Sequence, residues 1–207
     1  MKYLKSVLVA IPFLLILFVG LIVAPPAWLA SSYDLVFMSK FESSEGGFSI
    51  NLPKRWKISG MQNTKPRPFL YHVQPLSEAP YLEAWYTGYL RKRVSYYALI
   101  RIYKITRTYE NIPTAGQLAE DLSNKLAMRQ WVISEQFEIK RFRGLEWAVT
   151  TQILSGKSTA TARKEIRICW QTVGNITKDH YIVMFYTDRI SNYKAVFDKI
   201  FQSFSFI

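Results

Sequence analysis

The chain is poor in the residues that usually carry chemistry. Its 207 residues include one cysteine and two histidines. A lone Cys169 excludes an intrachain disulfide and any multi-cysteine metal site. Strand alternation sets it on a polar row beside Arg167, but a catalytic thiol ordinarily needs a histidine base. His72 and His180 show no link to it, and neither lies in a cluster with metal-ligand spacing. G-x-S-x-G and H-E-x-x-H are absent. Gly156-Lys157-Ser158 matches only the tail of a phosphate loop: the earlier glycine is missing and a strand pattern follows, so it reads as a turn. Glu120 and Asp121 are adjacent, and on a helix they project to different sides rather than forming an acid–base pair. No enzymatic activity, metal or cofactor is expected.

Negative charge is scarce as well. There are 15 Asp and Glu against 27 Lys and Arg, a net charge of +12. Such a balance favours anionic partners: phosphates, acidic lipid headgroups or an acidic protein face. Apolar residues are not scarce. The chain is 49% hydrophobic and 15% aromatic, enough for a packed core and far from a disordered composition.

The apolar residues begin at once. Lys2 and Lys5 precede an uncharged stretch, 6–33, made mostly of Leu, Ile, Val, Phe and Ala. A membrane-spanning helix needs ~20 apolar residues, more than the core of a signal peptide. Residues 7–23 nearly span alone. Pro12 is tolerable inside such a helix, Pro25 and Pro26 are expected to end it, and Trp28 suits the interface. The flanks are poor for signal peptidase: Trp28 stands third-last before Ala30, and Pro25 follows Ala24. Residues 1–30 are therefore expected to be a retained signal anchor. Lysines ahead of it, with only Asp34 and Lys40 shortly after, place the N-terminus in the cytoplasm. The protein is expected to be single-pass in an inner or plasma membrane, its main domain periplasmic or extracellular.

Residues 31–45 read as a juxtamembrane linker, and 46–207 as one domain without repeats or low complexity. Phe48, Ile50 and Leu52 alternate with Ser49 and Asn51 in a half-buried strand that Pro53 stops. A second strand is expected at 69–74. Ala98, Ile100 and Ile102 mark another, and Thr114 with Gln117 forms a capping box opening a helix. Strands follow at 132–142, 144–154 and 162–173. HYIVMFY, 180–186, is apolar on both faces, as a central strand should be. Tyr193, Val196, Phe197, Ile200 and Phe201 have helical spacing over 190–203, and FSFI closes the chain as a short strand or plug. The sum is an α+β domain, helices packed on a largely antiparallel sheet, preceded by one N-terminal transmembrane helix.

Three basic clusters are the candidate partner-binding residues: Lys54 and Arg55; Arg91, Lys92 and Arg93; and Lys140, Arg141 and Arg143. Near a membrane each surface cation adds ~1 kcal/mol of attraction to an anionic bilayer. The tract 81–97, with Tyr81, Trp85, Tyr86, Tyr89, Tyr96 and Tyr97, reads as a lid over the core more than as a set of interface anchors.

GFSINLPKRW, the strand-then-helix passage with Pro113, RGLEWAVT and the closing YKAVFDKIFQSFSF together resemble the PsbP-like superfamily. That superfamily includes PsbP-type, DcrB-type envelope and Ran-binding Mog-type domains. The resemblance covers 46–207. It implies the fold and a partner-binding role without a shared active site, and no functional residue is carried across. DcrB-type proteins are tethered through a lipid; this chain lacks the cysteine for that and looks anchored by its own helix. The expected function is that of a membrane-anchored, non-enzymatic accessory factor that binds a protein or membrane complex. The competing reading is a small-ligand or anionic lipid-headgroup binding module, its cleft between the aromatic tract and the sheet. Nucleic acid is not an expected partner outside the cytoplasm.

Overall fold

The computed structural model describes residues 25–59, 80–90, 93–106, 131–142, 145–154, 165–173 and 179–207, with isolated positions within 11–20 and 114–124. Helix α1 (Ala27–Val36) leads into strands β1 (Met38–Ser43), β2 (Phe48–Pro53) and β3 (Lys57–Ser59). Two long strands follow, β4 (Leu82–Leu90) and β5 (Arg93–Thr106). Then come β6 (Trp131–Phe142), β7 (Leu145–Leu154), β8 (Glu165–Val173) and β9 (Asp179–Thr187). Helix α2 (Ile190–Ser203) and the two-residue β10 (Ser205–Phe206) close the chain.

The strands form a three-stranded sheet, β1-β2-β10, and a seven-stranded sheet, β3-β4-β5-β9-β8-β7-β6, with antiparallel pairings throughout. β9 sits at the middle of the larger sheet, and Tyr181 to Tyr186 are all buried, as its two-sided apolar sequence predicts. One face of that sheet supplies Ala84, Ile100, Val149, Val183 and Phe185 to a core shared with α2. Phe185 stacks on Phe197 at 4.8 Å. The α2 residues expected inside, Tyr193, Val196, Phe197, Ile200 and Phe201, are all buried.

The small sheet joins the two ends of the domain. β10 pairs with β2, setting Ser205 opposite Ser49 and Phe206 opposite Phe48, and the two serine hydroxyls lie 2.8 Å apart. Phe48, Ile50 and Leu52 enter the core as their alternation requires, with Phe48 stacked on Phe204 at 5.5 Å. The glycines before them are not linker. Gly46 and Gly47 make the β1–β2 turn, where Gly47 takes φ 71° and its N–H donates to the Ser43 carbonyl at 2.8 Å. The Tyr181 hydroxyl donates to the Gly46 carbonyl at 2.7 Å, fastening the turn to the central strand.

One expectation changes. The stretch 31–45 is not a linker, because most of α1 and all of β1 occupy it. Pro26 is the N-cap of α1, where a missing N–H costs nothing. Cys169 stands in register between Val149 on β7 and Val183 on β9. The capping box is present: the Thr114 hydroxyl accepts from the Gln117 N–H at 3.2 Å, and Gln117 Oε1 accepts from the Thr114 N–H at 2.8 Å. The expected strand at 69–74 lies outside the described residues, as does His72. So does the greater part of 1–24. Among the described residues no helix is long and apolar enough to cross a membrane.

Phe48→Ala opens a void between the two sheets and is expected to lower the unfolding free energy by ~3–5 kcal/mol. Asn51→Ala, exposed on the same strand, is expected to stay within about 0.5 kcal/mol. Denaturant titration of the two variants checks the contrast.

Candidate functional site

Helix α1 is built inside out. Its fully buried positions are Ala30, Ser31 and Asp34, with Ala27 and Leu35 partly buried beside them. Its outer positions are Trp28, Ser32, Tyr33 and Val36, followed by Phe37, and Trp28, Tyr33, Val36 and Phe37 are 59%, 44%, 69% and 44% exposed. Trp28, Ser32 and Val36 follow one another at spacings of four, and Tyr33 with Phe37, their rings 4.5 Å apart, forms the adjoining row, so together they cover the outer half of the helix and its C-terminal end. A helix on a water-soluble domain normally does the reverse. The two serines on α1 are satisfied locally, since Ser31 and Ser32 both donate to the Trp28 carbonyl.

A buried carboxylate holds this orientation. Asp34 Oδ1 accepts from Arg55 Nε at 2.6 Å, and its Oδ2 accepts from Trp56 Nε1 at 3.0 Å. Arg55 also donates to the Ala30 carbonyl, one helical turn earlier. Its guanidinium lies 4.0 Å from the ring centre of Tyr86 and 5.0 Å from that of Tyr33. One arginine thus ties α1 to the turn after β2 and to β4. The carboxylate is fully shielded, whereas the Arg55 side chain keeps 22% of its exposure. Burial raises the Asp34 pKa above its ordinary 3.8, and the bonds from Arg55 and Trp56 pull it partly back. At the helix C-terminus Lys199 Nζ donates to the Leu35 carbonyl at 2.6 Å, and the Lys54 N–H donates to the Phe37 carbonyl at 3.0 Å. The Lys199 ammonium suits the negative end of the helix dipole.

Among the described residues, the sequence-derived basic residues do not converge. Lys54 is exposed beside α1. Arg55 pairs with the fully shielded Asp34 carboxylate, and 22% of its side chain stays exposed. Lys140 and Arg141 lie on β6, at the opposite edge of the large sheet from β3, and Lys140 is bonded to Glu138 at 2.9 Å. Arg93 begins β5 opposite Leu90. Arg91, Lys92 and Arg143 lie outside the described residues.

A second ion pair escaped the sequence reading. Glu83 on β4 stands directly across from Arg101 on β5, and Arg101 Nε donates to Glu83 Oε2 at 2.8 Å. Both side chains are almost fully buried, at 7% and 6% exposure. The Arg101 guanidinium faces the Tyr186 ring at 5.6 Å, and burial pushes the Tyr186 phenol well above 10. A glutamate in YLEAW and an arginine in ALIRIY, each amid apolar neighbours, were the available signal. Of the aromatic tract, Trp85 and Tyr97 are buried and Tyr81 and Tyr86 partly so, making it the β4–β5 hairpin of the core itself. Asp188 likewise serves the fold, accepting from the Tyr97 N–H at 3.0 Å. Among the described residues, no three His, Cys, Asp or Glu side chains gather to hold a metal.

An α+β body of antiparallel sheets and two helices, with its first core strand paired to its last, is the PsbP-like fold. Cyanobacterial PsbP from Synechocystis matches with a TM-score of 0.51 at 12% identity, over 83% of this chain and 93% of that one. The Ran-binding protein Mog1p of Saccharomyces cerevisiae gives 0.49 at 8% identity, over 82% and 95%. LpqN of Mycobacterium tuberculosis, described as involved in cell envelope biogenesis, gives 0.46 at 9%, over 81% and 84%. These likenesses concern the fold. No family model and no curated protein matches the chain.

Arg55→Ala strands the Asp34 charge and is expected to cost about 3 kcal/mol at neutral pH. The loss should shrink in acid, where Asp34 takes up a proton; denaturant unfolding at the two pH values checks it. The wild-type pH dependence has a defined sign. Asp34 and Asp188 both have folded pKa values raised by burial, so the folded state binds protons more tightly than the unfolded state. Stability from these two groups should fall as pH climbs from 3.8 through their raised values, then level off. Asp34→Asn is expected to remove its share of that fall.

Proposed function

We propose that this protein is a membrane-anchored, extracytoplasmic, non-enzymatic accessory factor that binds a protein or membrane complex. The observation that carries the reading is the junction between the apolar run and the folded body. Only Pro25 and Pro26 separate the apolar residues 7–24 from α1, and Arg55 clamps α1 to the domain. Where it is described, the run is helical, at Ile11, Pro12, Leu14, Val19 and Gly20. A spanning helix there would hold the domain at the bilayer, and Lys2 and Lys5 favour a cytoplasmic N-terminus. Cleavage after Ala30 would cut α1 in two and remove its first turn, including the carbonyl that Arg55 binds. That argues for retention of the anchor.

A non-enzymatic role is supported by the way the buried ionisable groups serve the fold. Asp34 is held by Arg55 and Trp56, Glu83 by Arg101, and Asp188 by the backbone of Tyr97. The second reading, an anionic lipid-headgroup or small-ligand module, is favoured by the net charge of +12.

Protein extracted from membranes is expected to resist carbonate washing and to begin at its first residues on N-terminal sequencing. A mature chain starting near Ser31 overturns the anchor. Mild crosslinking before detergent extraction should then yield a reproducible stoichiometric protein partner. Anionic lipid co-purifying without such a partner would favour the second reading.

A further inference from the structure

We propose that the outer face of α1 is a membrane-docking surface that seats the domain against the bilayer in one fixed orientation. The inference rests on the anchored reading above and deepens it, replacing a flexible tether with a rigid mount. Its occupant is the phospholipid surface itself, and three observations point there.

The first is chemical. Trp28, Tyr33, Val36 and Phe37 form an uncharged, largely aromatic face on a helix whose carboxylate is turned inward. Trp and Tyr are the residues that settle at the level of lipid headgroups, with an apolar body and a polar tip. The second is continuity. The face begins two residues after an uncharged run whose described side chains Ile11, Leu14 and Val19 are 53%, 63% and 50% exposed. If that run spans the bilayer, α1 emerges at the headgroup layer, the only depth at which such a face meets its preferred surroundings. The third is rigidity and charge. Arg55 and Trp56 fix α1 to the sheets through Asp34, so the face cannot turn without breaking a buried ion pair. Lys199, exposed, bonds the Leu35 carbonyl at the C-terminal end of the helix, and the backbone of exposed Lys54 bonds the Phe37 carbonyl beside it.

The geometry is that of an interfacial helix lying in the membrane plane, with one addition. Because α1 belongs to the folded core, its docking orients every other surface. The β6 edge lies at the other end of the large sheet from β3.

The test uses the full chain with Cys169→Ala, carrying Trp28→Cys, Val36→Cys or Ile139→Cys, each with a nitroxide label. Ile139 is 53% exposed on β6 and serves as the distant site. Proteins are reconstituted into vesicles of phosphatidylcholine and phosphatidylglycerol, and flotation reports the anchor separately. Labels at 28 and 36 are expected to collide several-fold more with lipid-soluble oxygen than with an aqueous nickel chelate, and the label at 139 to show the opposite. The Ile139 label in the same background reports that the domain is folded. Floating protein whose α1 labels are as open to nickel as the β6 label overturns the docking surface but leaves the anchor standing. Labels shielded from both reagents would mean a protein–protein contact and also overturn it. Failure to float overturns the anchor, and the docking surface with it.

Discussion

A carboxylate removed from water must find a partner, and Asp34 does so through a residue 21 positions later. Much follows from that pairing. It draws Arg55 and Trp56 onto α1, closes the turn after β2 beneath the helix, and fixes which side of α1 meets the domain. With Asp34, Ser31 and Ala30 inward, Trp28, Val36 and Phe37 have to face outward. In water this arrangement forgoes ~1.5–3 kcal/mol for each large apolar side chain left exposed. An apolar environment on the outer side would recover that loss, and the uncharged stretch just before the helix supplies the setting for one.

The remainder of the domain is organised by closure of its ends. β10 completes the sheet that β1 and β2 begin, while α2 fills the space between that sheet and β9. Phe48, Tyr181, Phe204 and Phe206 meet at this junction with ring centres 5.0–6.3 Å apart. The Gly46–Gly47 turn is locked into it by the Tyr181 hydroxyl. The charged groups at the two buried ion pairs therefore sit within a frame made rigid by aromatic packing. Their placement is a property of the fold as a whole, and a role for them in stability follows directly.

Local pattern was legible where burial follows a period. The alternation in 48–52, the helical spacing in α2, the two-sided apolar run of β9 and the Thr114–Gln117 box all depend on neighbours within a few residues. The stretch 31–45 was misread because its inward residues are Ser31 and Asp34, which look solvent-facing when counted by polarity. The internal partner of Arg55 was hidden for the complementary reason. Beside Lys54, Arg55 resembles a surface charge, and nothing local reveals that its partner lies on a preceding helix. Glu83 and Arg101 show the same limit, since only the strand register sets them opposite each other.

The sequence by itself determined that a long apolar run begins the chain, that an antiparallel α+β domain follows, and that its bracketing motifs resemble the PsbP-like superfamily. Those features are written in short-range periodicity and composition, and periodicity survives without knowledge of contacts. Only the tertiary structure decided that α1 is part of the domain, that Ser31 and Asp34 are among its buried residues, and that Arg55 pairs with Asp34. Ion pairs and helix orientation depend on residues distant in sequence meeting in a low-dielectric interior, where each charge must be matched.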